Sequence, residues 1–384
     1  MSRRLERCFS LDDFESEALR LLPRFIHGFI SGGCETEAGV RDNRAAFAEY
    51  AFVPRALVGV PNRIQRVTRF GHEYAAPFGI APMGAAALCG YRADIAMARA
   101  AEAARIPMIL SASSLIALEE VRRENPTGWY QAYIPGDAAR IEPLLERVRA
   151  VGYETIVVTA DVPVDANREN NLRNDFRLPV VVTPRIIRDC ALHPNWVFGT
   201  LLRTLSRHGV PHFENMDAVR GPPVFSKNLR RDAAKRDELS WEHIALIRRR
   251  WSGKLIVKGI LSREDARLAR ETGVDGIILS NHGGRQLDGA IAPFRVLPEI
   301  VADSGDMPVM MDSGIRRGTD ILKALALGAR FVFIGRPVLF AAALAGEAGV
   351  SRAITLMKAE VDRDLALLGL RDIARIGPDY VRRI

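Results

Sequence analysis

Eight short runs of apolar, largely β-branched residues recur along the chain with helical patterns between them, and this rhythm restricts the fold more than any other feature. The runs are Phe78 to Ala81, Pro107 to Leu110, Trp129 to Tyr133, Thr155 to Thr159, Leu255 to Lys258, Gly276 to Leu279, Val309 to Met311 and Phe331 to Ile334. Near-continuous hydrophobicity suits strands covered on both faces, as in a parallel sheet under helices. Eight such β-α units are the number that closes a barrel. With 384 residues, 48% of them apolar, the chain can form one barrel with insertions and a sizeable core. The expected fold class is therefore α/β, a (β/α)8 TIM barrel with an N-terminal helical segment and a long insertion after strand 4.

Helix signals fit this frame. Ser262 with Asp265 opens one helix in a capping-box pattern, Thr319 is expected to cap the helix through Ile321 and Leu325, and Gly328 to end it. Two parts fall outside the rhythm. Residues 1–74 form an expected cap, with a helix around Phe14 to Gly28, a turn at Gly32-Gly33 and extended segments that cover the barrel. Residues 176–238 interrupt the barrel of 75–384, and excursions of that length are usually functional or mobile. The whole of 1–384 reads as a single domain.

No stretch of eighteen uncharged apolar residues occurs, so no membrane-spanning helix is expected. Nor does an apolar run follow Met1-Ser2-Arg3-Arg4, which gives no sign of a secretory leader. Four scattered cysteines, Cys8, Cys34, Cys89 and Cys190, suit reduced thiols in a cytoplasmic protein rather than a disulfide frame or metal site. The net charge of +8 favours an acidic substrate or an anionic membrane surface. Nucleic acid ranks last, because no base-reading motif accompanies the basic residues.

Active sites of such barrels lie at the C-terminal ends of the strands. Those ends carry Pro82-Met83-Gly84, Ser111, Gln131 with Tyr133, Thr159 with Asp161, Lys258, Ser280-Asn281-His282, Asp312-Ser313-Gly314 and Gly335-Arg336. Packing alone does not need this concentration of polar and glycine residues. After strands seven and eight, the stretch Asp312 to Gly318 and Gly335-Arg336-Pro337 each lead into a helix. Backbone N–H groups, the positive helix ends, Arg316 and Arg336 would there bind a phosphate-bearing cofactor; two ordinary glycine turns are the plainer alternative. In Ser280 to Gly289, His282 can take a proton near neutral pH and Arg285 can grip a carboxylate. Asp161 could orient the imidazole and stabilise its protonated form.

Together these residues resemble the FMN-dependent L-2-hydroxy acid oxidase and dehydrogenase family, especially its mandelate dehydrogenase and membrane-bound L-lactate dehydrogenase branch. The segment Ser280-Asn281-His282-Gly283-Gly284-Arg285-Gln286-Leu287-Asp288, continuing into Ala290-Ile291-Ala292-Pro293, carries the likeness most specifically. The resemblance implies oxidation of a 2-hydroxy acid to the 2-oxo acid with FMN. His282 would be the base and Asp161 its partner, while Arg285, Arg168 and Tyr133 would hold and polarise the substrate. Lys258 would lie by the flavin N1/O2 edge and the Pro82-Met83-Gly84 backbone would face N5. Ser111, Gln131 and Thr159 would bond the ring; Ser280 is placed in the same cofactor set, and Asp312, Gly314, Arg316, Gly335 and Arg336 would hold ribityl and phosphate. Carbanion and hydride routes both remain open. The resemblance further implies a homotetramer.

Three positions depart from the family pattern. Phe29 stands where a substrate-binding tyrosine is usual, removing a hydrogen bond of roughly 0.5–1.5 kcal/mol. Ser113 replaces a bulky aromatic, leaving room for a larger substrate unless Leu115 or a loop fills it. Asn174-Asp175-Phe176 replaces Asn-Arg-Phe.

In the insertion, Val197, Phe198, Leu201, Leu202 and Leu205 are expected on one helix face, with Arg203, Arg207 and His208 at other angles and Trp196 before them. A membrane-surface helix and a helix packed on protein share that pattern. The resemblance, through a similar His-Pro-x-Trp in the family's membrane-bound members, favours peripheral docking on the inner face of the cytoplasmic membrane with a quinone-type electron acceptor. The rivals are a soluble oxidase reducing O2 to H2O2, a family member acting on an unusual substrate, and a catalytically silent FMN-binding scaffold.

Overall fold

A computed structural model describes residues 4–177, 179–226 and 235–384; of the expected insertion, residues 178 and 227–234 lie outside the described residues. Eight parallel strands form the central sheet: β1 (Phe78–Ile80), β2 (Ile109–Ser111), β3 (Trp129–Ala132), β4 (Thr155–Thr159), β5 (Lys254–Ile260), β6 (Gly276–Leu279), β7 (Val309–Met311) and β8 (Val332–Ile334). Their order is β1-β8-β7-β6-β5-β4-β3-β2, and a parallel bridge between Ile80 and Met108 joins the two edges, completing the (β/α)8 barrel. The strands are buried on both faces because alternate residues point into the barrel and out against helices.

Inward-facing Ile109, Trp129, Val157, Ile256, Ile278, Met310 and Phe333 fill the interior. The N-terminal opening is closed by an antiparallel hairpin of Val67–Arg69 and His72–Tyr74. Phe331 packs at 5.7 Å from the Tyr74 ring, and Trp129 Nε1 donates to Tyr74 Oη at 3.2 Å. With the floor sealed, the barrel opens to a ligand at its C-terminal mouth.

The structure corrects several expectations. The helix expected over Phe14 to Gly28 is two helices, α1 (Leu11–Leu19) and α2 (Arg24–Ser31). The apolar period runs through Leu21 and Leu22, but Pro23 disfavours helix at the residue before it and itself takes ψ 146°. Thr319 is not the cap of the helix Gly318–Ala326. That helix begins after Arg317, and Asp320 Oδ2 accepts from the N–H groups of Arg316 and Arg317 at 2.8 and 2.9 Å. Ser262 does cap its helix, accepting from Asp265 N at 3.0 Å. The C-terminal helix Arg336–Leu367 has the length and apolarity to cross a membrane by composition alone, although Glu347 and Arg352 interrupt its apolar run. It is, however, interrupted at Ala345 and Gly346 and packs its apolar side on α1 and the helix Ala93–Ala104.

The insertion also differs. It contains helices Pro184–Leu192, Pro194–Trp196 and Arg203–His208 with a π-helical stretch, Val197–Leu202, between the last two. Trp196 is not an interfacial residue: it is 5% exposed, donates from Nε1 to Leu88 O at 2.9 Å, and meets the Phe25 ring edge-on. The five apolar residues do not share one face either. Leu201 and Leu205 turn toward Ala87 and Leu88, whereas Phe198 and Leu202 are exposed. The wider π turn shifts the angular phase of everything after it. Tyr91 clamps the helix Arg203–His208, with Arg203 over its ring at 3.9 Å and its hydroxyl 3.0 Å from His208 Nε2.

Phe331→Ala should open a cavity in the barrel floor and lower stability by about 3–5 kcal/mol in urea unfolding. Because the mouth is untouched, chemistry per folded molecule should stay near wild type; a loss below about 1 kcal/mol would mean that the interior layer is not packed as described.

Candidate active site

Residues from the strand ends and from α2 line a cleft of about 870 Å³ at the mouth. Of the residues singled out in the sequence, Phe29, Pro82, Met83, Gly84, Tyr133, Thr159, Lys258, His282, Arg285, Asp312, Gly314, Arg316, Gly335 and Arg336 line it. Asp161, Arg168, Ser111, Gln131 and Ser280 stand behind that wall, each bonded within the site. Ser313 and Ile315, within the Asp312 to Gly318 stretch, also line the cleft, as do Ile30 and Leu339, which had no distinctive signal in the sequence.

The sharpest geometry is at β4 and β6. His282 Nδ1 lies 2.9 Å from Asp161 Oδ1. A carboxylate can only accept there, so Nδ1 carries the hydrogen and Nε2 is the ring nitrogen left to take a proton. Burial pushes the imidazole pKa below its ordinary value; Asp161 opposes this only in part, and Lys258 and Arg168 reinforce it. Burial would raise the Asp161 carboxyl, but His282 and Lys258 outweigh it and hold it below the usual range. The result is a neutral imidazole beside an ionised carboxylate at pH 7, the state a base requires. Close approach of Asp161 depends on Gly259, at a register shift in β5 with φ +105°: a Cβ there would come within 2.7 Å of Asp161 Cβ.

Lys258 Nζ donates to Ser280 Oγ at 2.7 Å and pairs with Asp312 Oδ2 at 3.1 Å. Burial disfavours its ammonium, yet Asp312 and Asp161 more than offset that and keep it charged. Arg285 donates to the carbonyls of Ile30 and Gly32, and Arg336 to those of Ser31 (3.0 Å) and Gly283 (2.7 Å). Neither is neutralised by a carboxylate in those contacts. Burial, then Arg168 and Arg336, push the Arg285 pKa well down, and burial with Arg316 lowers Arg336 to about 10. Arg316 is lowered too, first by burial, with its Nε 3.4 Å from Asp12 Oδ1. Arg168 supports the loop by donating to Arg285 O at 3.0 Å and to Gln286 Oε1 at 2.6 Å. Crowded, desolvated guanidinium groups are the signature of a site that takes anions.

The loop that carries His282 is tied down from the N-terminal segment. Asn281 and Asn43, both buried, exchange amide hydrogen bonds of 2.8 and 2.7 Å. Asp288 accepts from the backbone of Thr36 and Gly39. Gly284, at φ +76°, lies so close to this segment that a Cβ would meet Val40 N at 2.5 Å. Asn281 belonged to a legible motif, but nothing marked Asn43 as its partner.

Phe29 stacks on Phe176 at 4.3 Å, with the Arg285 guanidinium 5.4 Å from the Phe29 ring. Leu115 is buried in the core and does not line the cleft, and Ser113 packs against Gly84. Asp175 accepts from Thr183 Oγ1 at 3.0 Å, a contact within the insertion's base.

A sealed (β/α)8 barrel whose mouth joins a histidine–carboxylate pair to phosphate-type helix ends defines a class: barrel enzymes that bind an anionic cofactor beside a proton-accepting group. Comparison with known proteins makes this specific, and the chain belongs to the FMN-dependent dehydrogenase family, whose model matches residues 18–383. It is 38% identical to the (S)-mandelate dehydrogenase of Pseudomonas putida over 98% of this chain and 94% of the relative. It is 36% identical to the L-lactate dehydrogenase of Pectobacterium atrosepticum, covering 97% and 96%. A crystal structure of the monotopic membrane protein (S)-mandelate dehydrogenase superposes with a TM-score of 0.89 at 36% identity, covering 98% and 100%. A mandelate oxidase structure with benzoyl-formic acid matches with a TM-score of 0.79 at 33% identity, each chain covered to 98%. The protein is accordingly an FMN-dependent 2-hydroxy acid dehydrogenase by family.

The residues fit that cofactor. Gln131 Oε1 accepts from Ser111 Oγ at 3.1 Å, whereas Gln131 Nε2 is buried with no partner. That orphaned donor at the end of β3 suits a flavin ring carbonyl, and Arg316 and Arg336 suit the phosphate. Gln131→Leu should weaken FMN binding about 3–10-fold, the loss of one hydrogen bond of roughly 0.5–1.5 kcal/mol. Fluorescence titration of apoprotein with FMN measures it, and an unchanged Kd would rule out this contact.

Because the pKa of His282 is lowered, kcat/KM should climb with pH along a limb lying below pH ~6.5, the ordinary histidine value. Asp161 raises that pKa, so Asp161→Asn should move the limb to still lower pH while cutting kcat by roughly 10²-fold or more. A limb that moved upward would contradict the pairing.

Proposed function

We propose that the protein oxidises an L-2-hydroxy acid, mandelate- or lactate-like, to the 2-oxo acid. The observation that carries this reading is the short His282–Asp161 contact facing a cleft rich in guanidinium groups. Arg285, with Tyr133 beside it and Arg168 behind, holds the substrate carboxylate, and His282 Nε2 takes one of the two protons lost from the carbinol. Asp161 keeps the ring in the accepting tautomer and stabilises the imidazolium that forms. FMN supplies the two-electron acceptor when bound. Lys258, charged and buried under the site, offers positive charge where Ser280 fixes its ammonium; Pro82, Met83 and Gly84 with Thr159 shape the ring face, and Asp312, Gly314 and Gly335 the ribityl-phosphate side.

Phe29 presents an apolar wall instead of a hydroxyl donor. Its stacking on Phe176 favours a substrate with an aromatic or large apolar side chain. Phe29→Tyr should lower KM for a small substrate such as L-lactate about 3–10-fold, the worth of one hydrogen bond.

The insertion supports peripheral membrane association with a quinone-type acceptor. Ile187, Leu192, Phe198 and Leu202 project outward among Arg185, Arg188, Arg203 and Arg207, the mixture that seats a helix in a lipid interface. Steady-state turnover of (S)-mandelate and L-lactate, with a soluble quinone or with O2, tests the reading. Turnover with quinone well above that with O2, abolished in His282→Gln, is expected. Equal or faster O2 consumption would make the protein an oxidase, and retained activity in His282→Gln would remove the base.

A further inference from the structure

Beside the site, a second cleft of about 1160 Å³ opens between α2, the helix Glu169–Arg173 and the insertion helix Pro184–Leu192. Arg24, Arg173, Arg185 and Arg188 line it, with Asp175 and Asp189 as its carboxylates. Arg173 is paired with Glu169 in its own helix. Asp175 is occupied by Thr183, and Asp189 lies 3.4 Å from His193 Nδ1. Among the described residues, Arg24, Arg185 and Arg188 form no ion pair. Three guanidinium groups thus converge on one concavity, brought together from helices far apart in the sequence. Guanidinium matches phosphate oxygens in bidentate geometry better than any other side chain.

The rim says which phosphate. Ile186 is buried and anchors the insertion helix, so that Ile187 (60% exposed) and Leu192 (71%) project from the same helix as Arg185 and Arg188. Val181 and Val182, just before it, are exposed as well. A free phosphate ion would leave these apolar side chains in water; a phospholipid covers them with acyl chain while its head group enters the cleft.

We propose that this cleft binds the phosphodiester head group of an anionic phospholipid, fixing the depth and orientation of the protein on the bilayer. The inference rests on the membrane reading given above. It assigns to that reading a defined pocket instead of a diffuse basic surface. The pocket spans α2, whose other end carries Phe29 into the catalytic cleft, so a seated lipid also braces that wall.

Sedimentation of the FMN-loaded enzyme with phosphatidylcholine vesicles, with and without phosphatidylglycerol, tests it. The cleft variant R185Q/R188Q is compared with R177Q/R207Q, which removes equal charge from exposed positions of the insertion outside the cleft; unchanged FMN content and turnover show that both fold. Diffuse attraction weakens equally in the two, because each charge near an anionic surface contributes alike. The cleft predicts that R185Q/R188Q loses at least about tenfold more vesicle affinity than R177Q/R207Q. It also predicts that short-chain phosphatidylglycerol, below its micelle concentration, shows phosphorus NMR broadening with wild type and none with R185Q/R188Q. Equal losses in the two variants overturn the cleft while leaving membrane docking intact. Broadening of inorganic phosphate alone, with no preference for phosphatidylglycerol vesicles, overturns the lipid assignment. Wild type that ignores both kinds of vesicle overturns the membrane reading and this inference with it.

Discussion

Positive charge held out of water at the barrel mouth is the constraint around which the structure is arranged. Arg285, Arg316 and Arg336 have their pKa values lowered by burial, and Lys258 keeps its charge only through Asp312 and Asp161. Such groups repel one another and cost solvation energy until an anion joins them. The barrel makes the arrangement tolerable. Its floor is sealed by Tyr74 and its interior filled by Trp129, Phe331 and Phe333, so the strand ends are rigid mounts. The cation holders come from opposite sides: the barrel loops contribute the side chains, while the carbonyls of Ile30, Ser31 and Gly32 at the C-terminal end of α2 receive their hydrogen bonds. The N-terminal segment is therefore part of the site as well as its cover.

The same charges set the chemistry. Lys258 and Arg168 depress the His282 pKa along with burial, and Asp161 restores part of it. A histidine in that balance stays neutral at physiological pH and still gains a stabilising carboxylate once protonated. A phosphate-bearing cofactor and a carboxylate substrate, together, are what this electrostatic pattern lacks, and FMN-dependent dehydrogenases bring both.

Much of the barrel was legible because parallel strands buried on both faces leave an unbroken apolar signature. Thr155–Thr159, Gly276–Leu279 and Val309–Met311 match their expected limits. The strand-end rule then placed most of the cleft lining. What failed was information that periodicity does not carry. The helix break at Pro23 was hidden by an apolar pattern that continued across it. Trp196 has the composition of an interfacial residue but sits under the insertion, since amphipathicity does not say whether protein or lipid covers a face. The π stretch after it changed which residues point outward. Asn43 pairs with Asn281 from 238 positions away, a contact that tertiary folding alone creates.

The insertion and the catalytic mouth meet through short bridges. Trp196 bonds Leu88 and Tyr91 holds Arg203 and His208, a few residues beyond Pro82-Met83-Gly84. The surface proposed to seat on lipid is in this way fastened to the loop proposed to face the cofactor. The central claim, that this mouth removes two electrons from an L-2-hydroxy acid, is tested most directly by mixing the FMN-loaded protein anaerobically with each enantiomer of mandelate and lactate while following flavin absorbance. The account predicts bleaching by at least one L-configured acid and none by its mirror image. Flavin that stays oxidised with every acid, in protein that holds FMN, would contradict it.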